Sequence, residues 1–281
     1  IVHFAEQPSA PWSMASAANA AETQRNNVVG TMNLLWAVKE AKPDCHVIKL
    51  GTAGMYPDWL YQDKTVPEGP RINVQYEGKD WEITTPRYAG SWYHFSKLFD
   101  SFNVDYACRI WNLRATDLNQ GIVYGHVDGT RFDYDSAFGT VINRFVTQAA
   151  AGHPLTLYGK GNQMRGFINI RNVLEAIELV INDPPKLGEF RVFHQLTETA
   201  SIRSLAKRVS KLTGAKVEEI ENPRVEKSES VLRFEAKALK GLGLKPILID
   251  DELPKLVEKV GCFTWNIREN VILPNDRAVW K

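Results

Sequence analysis

Apolar positions along this chain switch between two spacings, and the switches mark out its elements. "IVHFA" (1–5) is a short apolar run closed by a polar turn, which predicts a buried strand. From about Ser16 to Lys42 apolar residues recur at helical spacing, as in "VVGTMNLLWAVKEAK", until Pro43-Asp44 breaks the pattern. "CHVIKLGTA" (45–53) predicts a second buried strand, ending in small residues. Segment 57–90 is rich in Pro, Gly, Asp and Tyr and predicts a long, partly ordered insertion. Helical spacing resumes in "SWYHFSKLFDSFNVDYA", and "CRIWNLRAT" (108–116) predicts a third strand. Strands that are apolar throughout and separated by helices imply a parallel sheet covered on both faces.

After Asp117 the pattern becomes mixed. "FGTVINRFVTQAAAG" predicts a helix capped by Gly152, followed by short strands in "PLTLYG" and "RGFINI". A helix in "RNVLEAIELVIND", a strand in "EFRVFHQ", helices near 201–213 and 229–241, and a polar C-terminal tail complete the pattern. The fold class expected is α/β: a doubly wound parallel sheet with a smaller mixed C-terminal lobe. Residues 1–120 are assigned to the sheet domain and 121–281 mainly to the lobe, with 166–200 partly returning to the sheet. The chain opens directly on a strand, without an initiator Met or a signal-peptide pattern, which predicts that the first strands of the sheet lie upstream.

Composition changes this picture little. A formal net charge of +1 removes any global electrostatic case for nucleic acid or a membrane surface. Cys45, Cys108 and Cys262 are far apart and lack a CxxC spacing, so neither a disulfide framework nor a metal site is expected. A reducing compartment fits best, cytoplasm or plastid. No apolar run reaches the length of a membrane span.

In a doubly wound sheet, ligands sit outside the carboxyl ends of the strands. Thr52 falls at such an end, as do Glu6 and Gln7, with Asn119 and Gln120 just past the third strand. Tyr93 and Lys97 in "SWYHFSK" are four residues apart. Residues at that spacing share a face on every helix, so the pair alone also fits a half-buried tyrosine beside a solvated lysine. With Thr52 on the facing strand, a phenol, an ammonium and a hydroxyl can converge. An ammonium near a phenol favours the phenolate, which can take a proton from a sugar hydroxyl as hydride leaves its carbon.

The segments "HFAEQPSAPWSM", "TQRNNVVGTMNLLWAVKE", "HVIKLGT", "WYHFSK", "RATDLNQGIVYG", "RFDYDSAFGTVINRFVTQAAAGHPLTLYGKGNQMRGFINIRN", "GEFRVFHQLTE" and "NPRVE" occur in collinear order. Together they resemble the extended short-chain dehydrogenase/reductase superfamily and, within it, the UDP-sulfoquinovose synthase family. That resemblance implies NAD as cofactor, UDP-glucose and sulfite as substrates, and a homodimer. The implied reaction oxidises C4, loses water across C5–C6, adds sulfite at C6 and reduces C4 again. Tyr93 is then the C4 base, Lys97 its modulator and a ribose ligand, and Thr52 the third member. For His94 two readings stand: proton transfer at C5–C6, or a helix-surface histidine packed under a loop.

By the same resemblance, Phe4, Ala5, Glu6, Asn27, Leu50 and Gly51 join Tyr93 and Lys97 around NAD. Gln7, Asn119, Gln120, Thr140, Arg144, Thr156, Tyr158, Gln163, Arg165, Arg224 and Glu226 would hold the UDP-sugar, the arginines because their fork matches phosphate oxygens. No metal is implied. Three departures stand out. The glycine-rich turn for the pyrophosphate and its acidic partner are absent from the sequence. Pro8 replaces an arginine after "EQ", and Met55 a glutamate after the threonine. They leave a 4-epimerase, a 4,6-dehydratase and a non-catalytic nucleotide-sugar binder as alternatives. Ala53-Gly54, in place of a dehydratase's Asp-Glu, speaks against the second; an intact Thr52, Tyr93 and Lys97 speak against the third.

Overall fold

The computed structural model describes residues 1–62, 64–131, 139–223 and 231–274. The first half runs β1 (Val2–His3), α1 (Ala10–Met14), α2 (Ala17–Gln24), α3 (Gly30–Ala41), β2 (His46–Thr52), α4 (Asp58–Tyr61), β3 (Thr65–Val66), β4 (Arg71–Tyr76), β5 (Lys79–Thr84), α5 (Trp92–Trp111) and β6 (Arg114–Gln120). There follow β7 (Ile122–Tyr124), α6 (Val141–Ala150), β8 (Leu155–Tyr158), β9 (Met164–Asn169), α7 (Ile170–Asn182), β10 (Phe190–Gln195), β11 (Glu198–Ser201), α8 (Ile202–Thr213) and β12 (Val217–Ile220). Last come β13 (Arg233–Phe234), α9 (Ala238–Gly241), α10 (Ile249–Gly261) and α11 (Glu269–Ile272).

The main sheet has the order β1-β2-β6-β10, with every pairing parallel. Successive residues of β2 point to opposite faces and bury against different helices. Val47 packs with Leu35 and Val38 of α3 and Val104 and Ala107 of α5, whereas Ile48 packs with Val173, Ala176 and Val180 of α7. Burial on both faces is why these strands read as apolar runs. A second core joins α6, β8, α8 and α10 around Phe145, Leu157, Leu205 and Leu256. Smaller sheets, β11-β9-β7 and β12-β8, complete the lobe. No helix among the described residues is long and apolar enough to cross a membrane.

Several expected boundaries move. The helical run from Ser16 is one rod with a π-helical turn at Arg25–Val29 that turns Asn27 fully inward. Cys108 to Trp111 belong to α5, because the helix continues until Asn112 adopts a left-handed cap at φ 55. The third strand therefore starts at Arg114 and includes Asn119 and Gln120. Gly152 and Gly214, at φ +77 and +75, close α6 and α8 in the same way. The helix expected near 229–241 is replaced, within the described residues, by β13 and the single turn α9, and the polar tail contains α10. The 57–90 insertion holds an antiparallel hairpin, β4–β5, tied to α5 by a two-pronged Arg71–Asp105 bond at 2.9 Å.

Candidate active site

The carboxyl ends of β1, β2 and β6 and the first turns of α5 meet at one edge of the sheet. Ser91 caps α5 by accepting the His94 N–H at 3.2 Å, and Ser13 of α1 accepts the Tyr93 N–H at 3.1 Å. Lys97 follows one turn later, 5% exposed, and its Nζ donates to the Leu50 carbonyl at 2.6 Å and forms an ion pair with Glu6. That Nζ lies 5.9 Å from the Tyr93 ring centre, and the His94 ring lies 5.0 Å from it.

The electrostatics differ from the expected ammonium–phenol pair. Lys97 is matched by the Glu6 carboxylate. Burial, and then that same carboxylate, push the Tyr93 phenol above its ordinary value, while Lys49 pulls it down.

A cleft of about 690 Å³ opens beside these residues, lined by Thr52, Gly54, His94, Gln120 and Arg165, with Trp59 and Tyr88 as an aromatic wall. His94 reaches it by a tight fit. Its Nδ1 lies 2.8 Å from Ser91 Oγ, and a Cβ added at Gly54 would stand 2.4 Å from its Nε2. Thr52 Oγ1 accepts the Gly54 N–H at 3.1 Å, which holds that turn beneath the ring.

Other candidates are already bonded within the chain. Asn27 is fully buried, accepts the Gln7 N–H at 2.7 Å and donates to Gln7 O and Ser96 Oγ, so it shapes the Gln7 turn. Asn119, also fully buried, donates to Tyr56 Oη at 2.8 Å and supports the cleft floor. Arg144 donates to Thr156 O at 3.0 Å and stacks on Tyr158 at 4.5 Å, and Thr156 is doubly bonded to Gln148. Both belong to the α6–β8 packing. Thr140 precedes α6, Gln163 is buried, and neither lines the cleft. Met55 is wholly buried and Pro8 exposed, so neither faces the cleft beside His94. Arg224 and Glu226 lie outside the described residues.

Tyr56 is a residue that pattern reading misses. Its hydroxyl bridges Asn119 and His194 Nε2, 3.2 Å away, and its ring stands edge-on to His194 and Phe234. Gln195, likewise unpredicted, accepts from Gln120 Nε2 at 2.8 Å. Among the described residues no cluster of three His, Cys, Asp or Glu side chains is placed to hold a metal.

The profile of the NAD dependent epimerase/dehydratase family matches residues 1–194. The chain belongs to that family. Within it, the chain is 47% identical over 267 residues to the chloroplastic UDP-sulfoquinovose synthase of Spinacia oleracea. It is 40% identical over 276 residues to the UDP-sulfoquinovose synthase of Sulfolobus acidocaldarius. These alignments take in 90% of this family member, but 55% of the spinach protein and 70% of the archaeal one. Solved epimerase/dehydratase structures share its fold. A UDP-glucuronic acid 4-epimerase from Bacillus cereus superposes with a TM-score of 0.71 at 19% identity, over 93% of this chain and 76% of that one. A dTDP-glucose 4,6-dehydratase from Streptomyces venezuelae gives 0.71 at 21%, over 92% and 71%.

Proposed function

We propose that the full-length protein is a UDP-sulfoquinovose synthase, converting UDP-glucose and sulfite to UDP-sulfoquinovose and water. The observation that carries this reading is the identity to two proteins of that name across 90% of the chain. Thr52 and His94 line one cleft, and Tyr93 stands beside His94 and Lys97 on the first turns of α5, which supports it.

The residues at the β1 edge fit the nicotinamide end of NAD. Gln7 Nε2 is buried with no partner among the described residues, Lys97 offers a buried ammonium, and Phe4 exposes 54% of its surface as an apolar wall. The chemistry that NAD would supply there, when bound, is reversible hydride transfer at C4. Tyr93 takes the C4 hydroxyl proton and gives it back, with Thr52 orienting that hydroxyl. His94, fixed against Gly54, moves the proton during water loss across C5–C6, and sulfite then adds at C6. Gln120 and Arg165 face the sugar diphosphate from the opposite wall.

A homodimer belongs to the same reading. Trp92, Phe99, Phe102, Tyr106 and Ile110 form one stripe on α5, each at least 41% exposed, and a second copy of that stripe would cover it. Three free cysteines suit a reducing compartment, cytoplasm or plastid.

Incubating the full-length protein with UDP-glucose and sulfite is expected to give UDP-sulfoquinovose by mass spectrometry, with no net use of NAD. UDP-galactose alone, or no product, would overturn the assignment. In the same assay Tyr93→Phe is expected to lower turnover by about 10²–10⁴-fold while UDP-glucose still binds.

A further inference from the structure

We propose that Lys49 is a positioning residue for the Tyr93–Lys97 pair: clamped to Asp117, it places a second buried ammonium beneath the turn of α5 that carries both. This rests on Tyr93 being the base proposed above.

A lysine in the middle of a parallel strand is out of place by its chemistry. Both faces of the sheet are covered and Lys49 is 0% exposed, so its charge must be matched inside the protein. The match is built into the sheet. Asp117 is the register partner of Lys49 on the neighbouring strand, with Nζ 3.6 Å from its Oδ1. Ser101 of α5 donates to the other carboxylate oxygen and itself accepts from Arg87 at 3.0 Å. Gly51 leaves the room this needs, since a Cβ there would stand 2.3 Å from Asp117 Oδ1. The ammonium's remaining bond goes to the Lys97 carbonyl, at 3.3 Å. Lys49 thus grips the backbone of the lysine that serves the tyrosine.

The charges around Tyr93 give the grip a chemical meaning. Glu6, paired with His3, acts on it from the end of β1, and Lys49 from β2. Lys97 and His94 stand beside its ring on α5, where Asp100 lies near Lys49 and Lys97, with Asp117 behind Lys49 on β6. Glu6 takes the charge of Lys97 and raises the phenol, and Lys49 opposes it. An ion pair that served only stability would leave the acidity of Tyr93 alone.

The test replaces both partners, Lys49→Met with Asp117→Asn in the full-length protein, so that no lone charge stays buried. The protein is labelled with 3,5-difluorotyrosine, whose fluorines make the phenol more acidic, and Tyr93 is assigned by its loss in Tyr93→Phe. Followed by fluorine NMR without substrate, the Tyr93 midpoint is expected to rise by about one pH unit, a roughly tenfold weaker acid. An unchanged midpoint in the folded double variant overturns the role of Lys49. If the midpoint moves while the rising limb of the kcat/KM pH profile stays in place, the failure lies with Tyr93 as base, not with Lys49.

Discussion

His94 owes its place to an atom that is missing. With no Cβ at Gly54, the imidazole rests on the turn after Thr52, and Ser91 fixes its other face. Gly54→Ala must push the ring away, and misplacing a reacting group by about 1 Å can cost about 10²-fold in rate. We expect a drop of that order in turnover of the proposed reaction, with the unfolding midpoint little changed. A Gly54→Ala protein that turned over at the wild-type rate would remove His94 from the chemistry. Thr52, Tyr93 and Lys97 were legible as candidates, because a strand end and an i,i+4 spacing are local facts. Asn27, Asn119 and Arg144 were marked by a family pattern, which names positions without saying which of a side chain's donors the chain itself engages. Tyr56 was invisible because His194, its partner, lies 138 residues away.

At the scale of elements, α5 carries three duties on separate faces. Its inner face holds Lys97, Asp100 and Ser101, its first turn presents Tyr93 and His94 to the edge of the sheet, and its outer face is the aromatic stripe. Apolar residues at 92, 95, 99, 102, 106 and 110 recur every three or four positions, the spacing of a helix–helix seam. Phe99→Glu with Tyr106→Glu is therefore expected to convert a dimer to a monomer in sedimentation velocity, with secondary structure kept. Unchanged sedimentation would overturn the proposal that this stripe is a dimer contact. The helix was legible from this periodicity, but its end was not, because Asn112 rather than glycine makes the left-handed cap. The β4–β5 hairpin was hidden similarly. Its two-residue turn has positive φ at Glu77 (φ 49) and Gly78 (φ 73), where Asn-Gly is the usual signal.

Across the whole molecule, the buried charges under the site tie stability to pH. Asp100 is fully buried, and desolvation lifts its carboxyl from 3.8 to about 7, with Glu6 adding to the rise and Lys49 and Lys97 opposing it. The folded state therefore holds this proton more tightly than the unfolded chain. The resulting stability is complete below the unfolded value and fades as pH rises through about 7. Between pH 5 and 8 the loss from this group is on the order of 2–3 kcal/mol. Asp100→Asn, neutral at every pH, should flatten that slope in urea unfolding at both pH values. An unaltered slope would show that Asp100 titrates like an exposed carboxylate. The α/β class and the parallel sheet were legible at this scale, since runs buried on both faces leave a strong signature. The lobe was read less well, because short strands such as β7 and β12 are defined by distant partners.

One consequence of the strand order concerns how the protein is made. β10 pairs along β6, Phe190 to Gln195 against Ala115 to Gln120, yet β7, α6, β8, β9 and α7 lie between them in the chain. A contact of such sequence separation forms slowly, because the loop must close before the pairing rewards it. During synthesis β1, β2 and β6 emerge before β10 and wait with the outer edge of β6 open. The nascent chain thus displays an unpaired strand until β10 has left the ribosome, and in that interval a chaperone has most to protect.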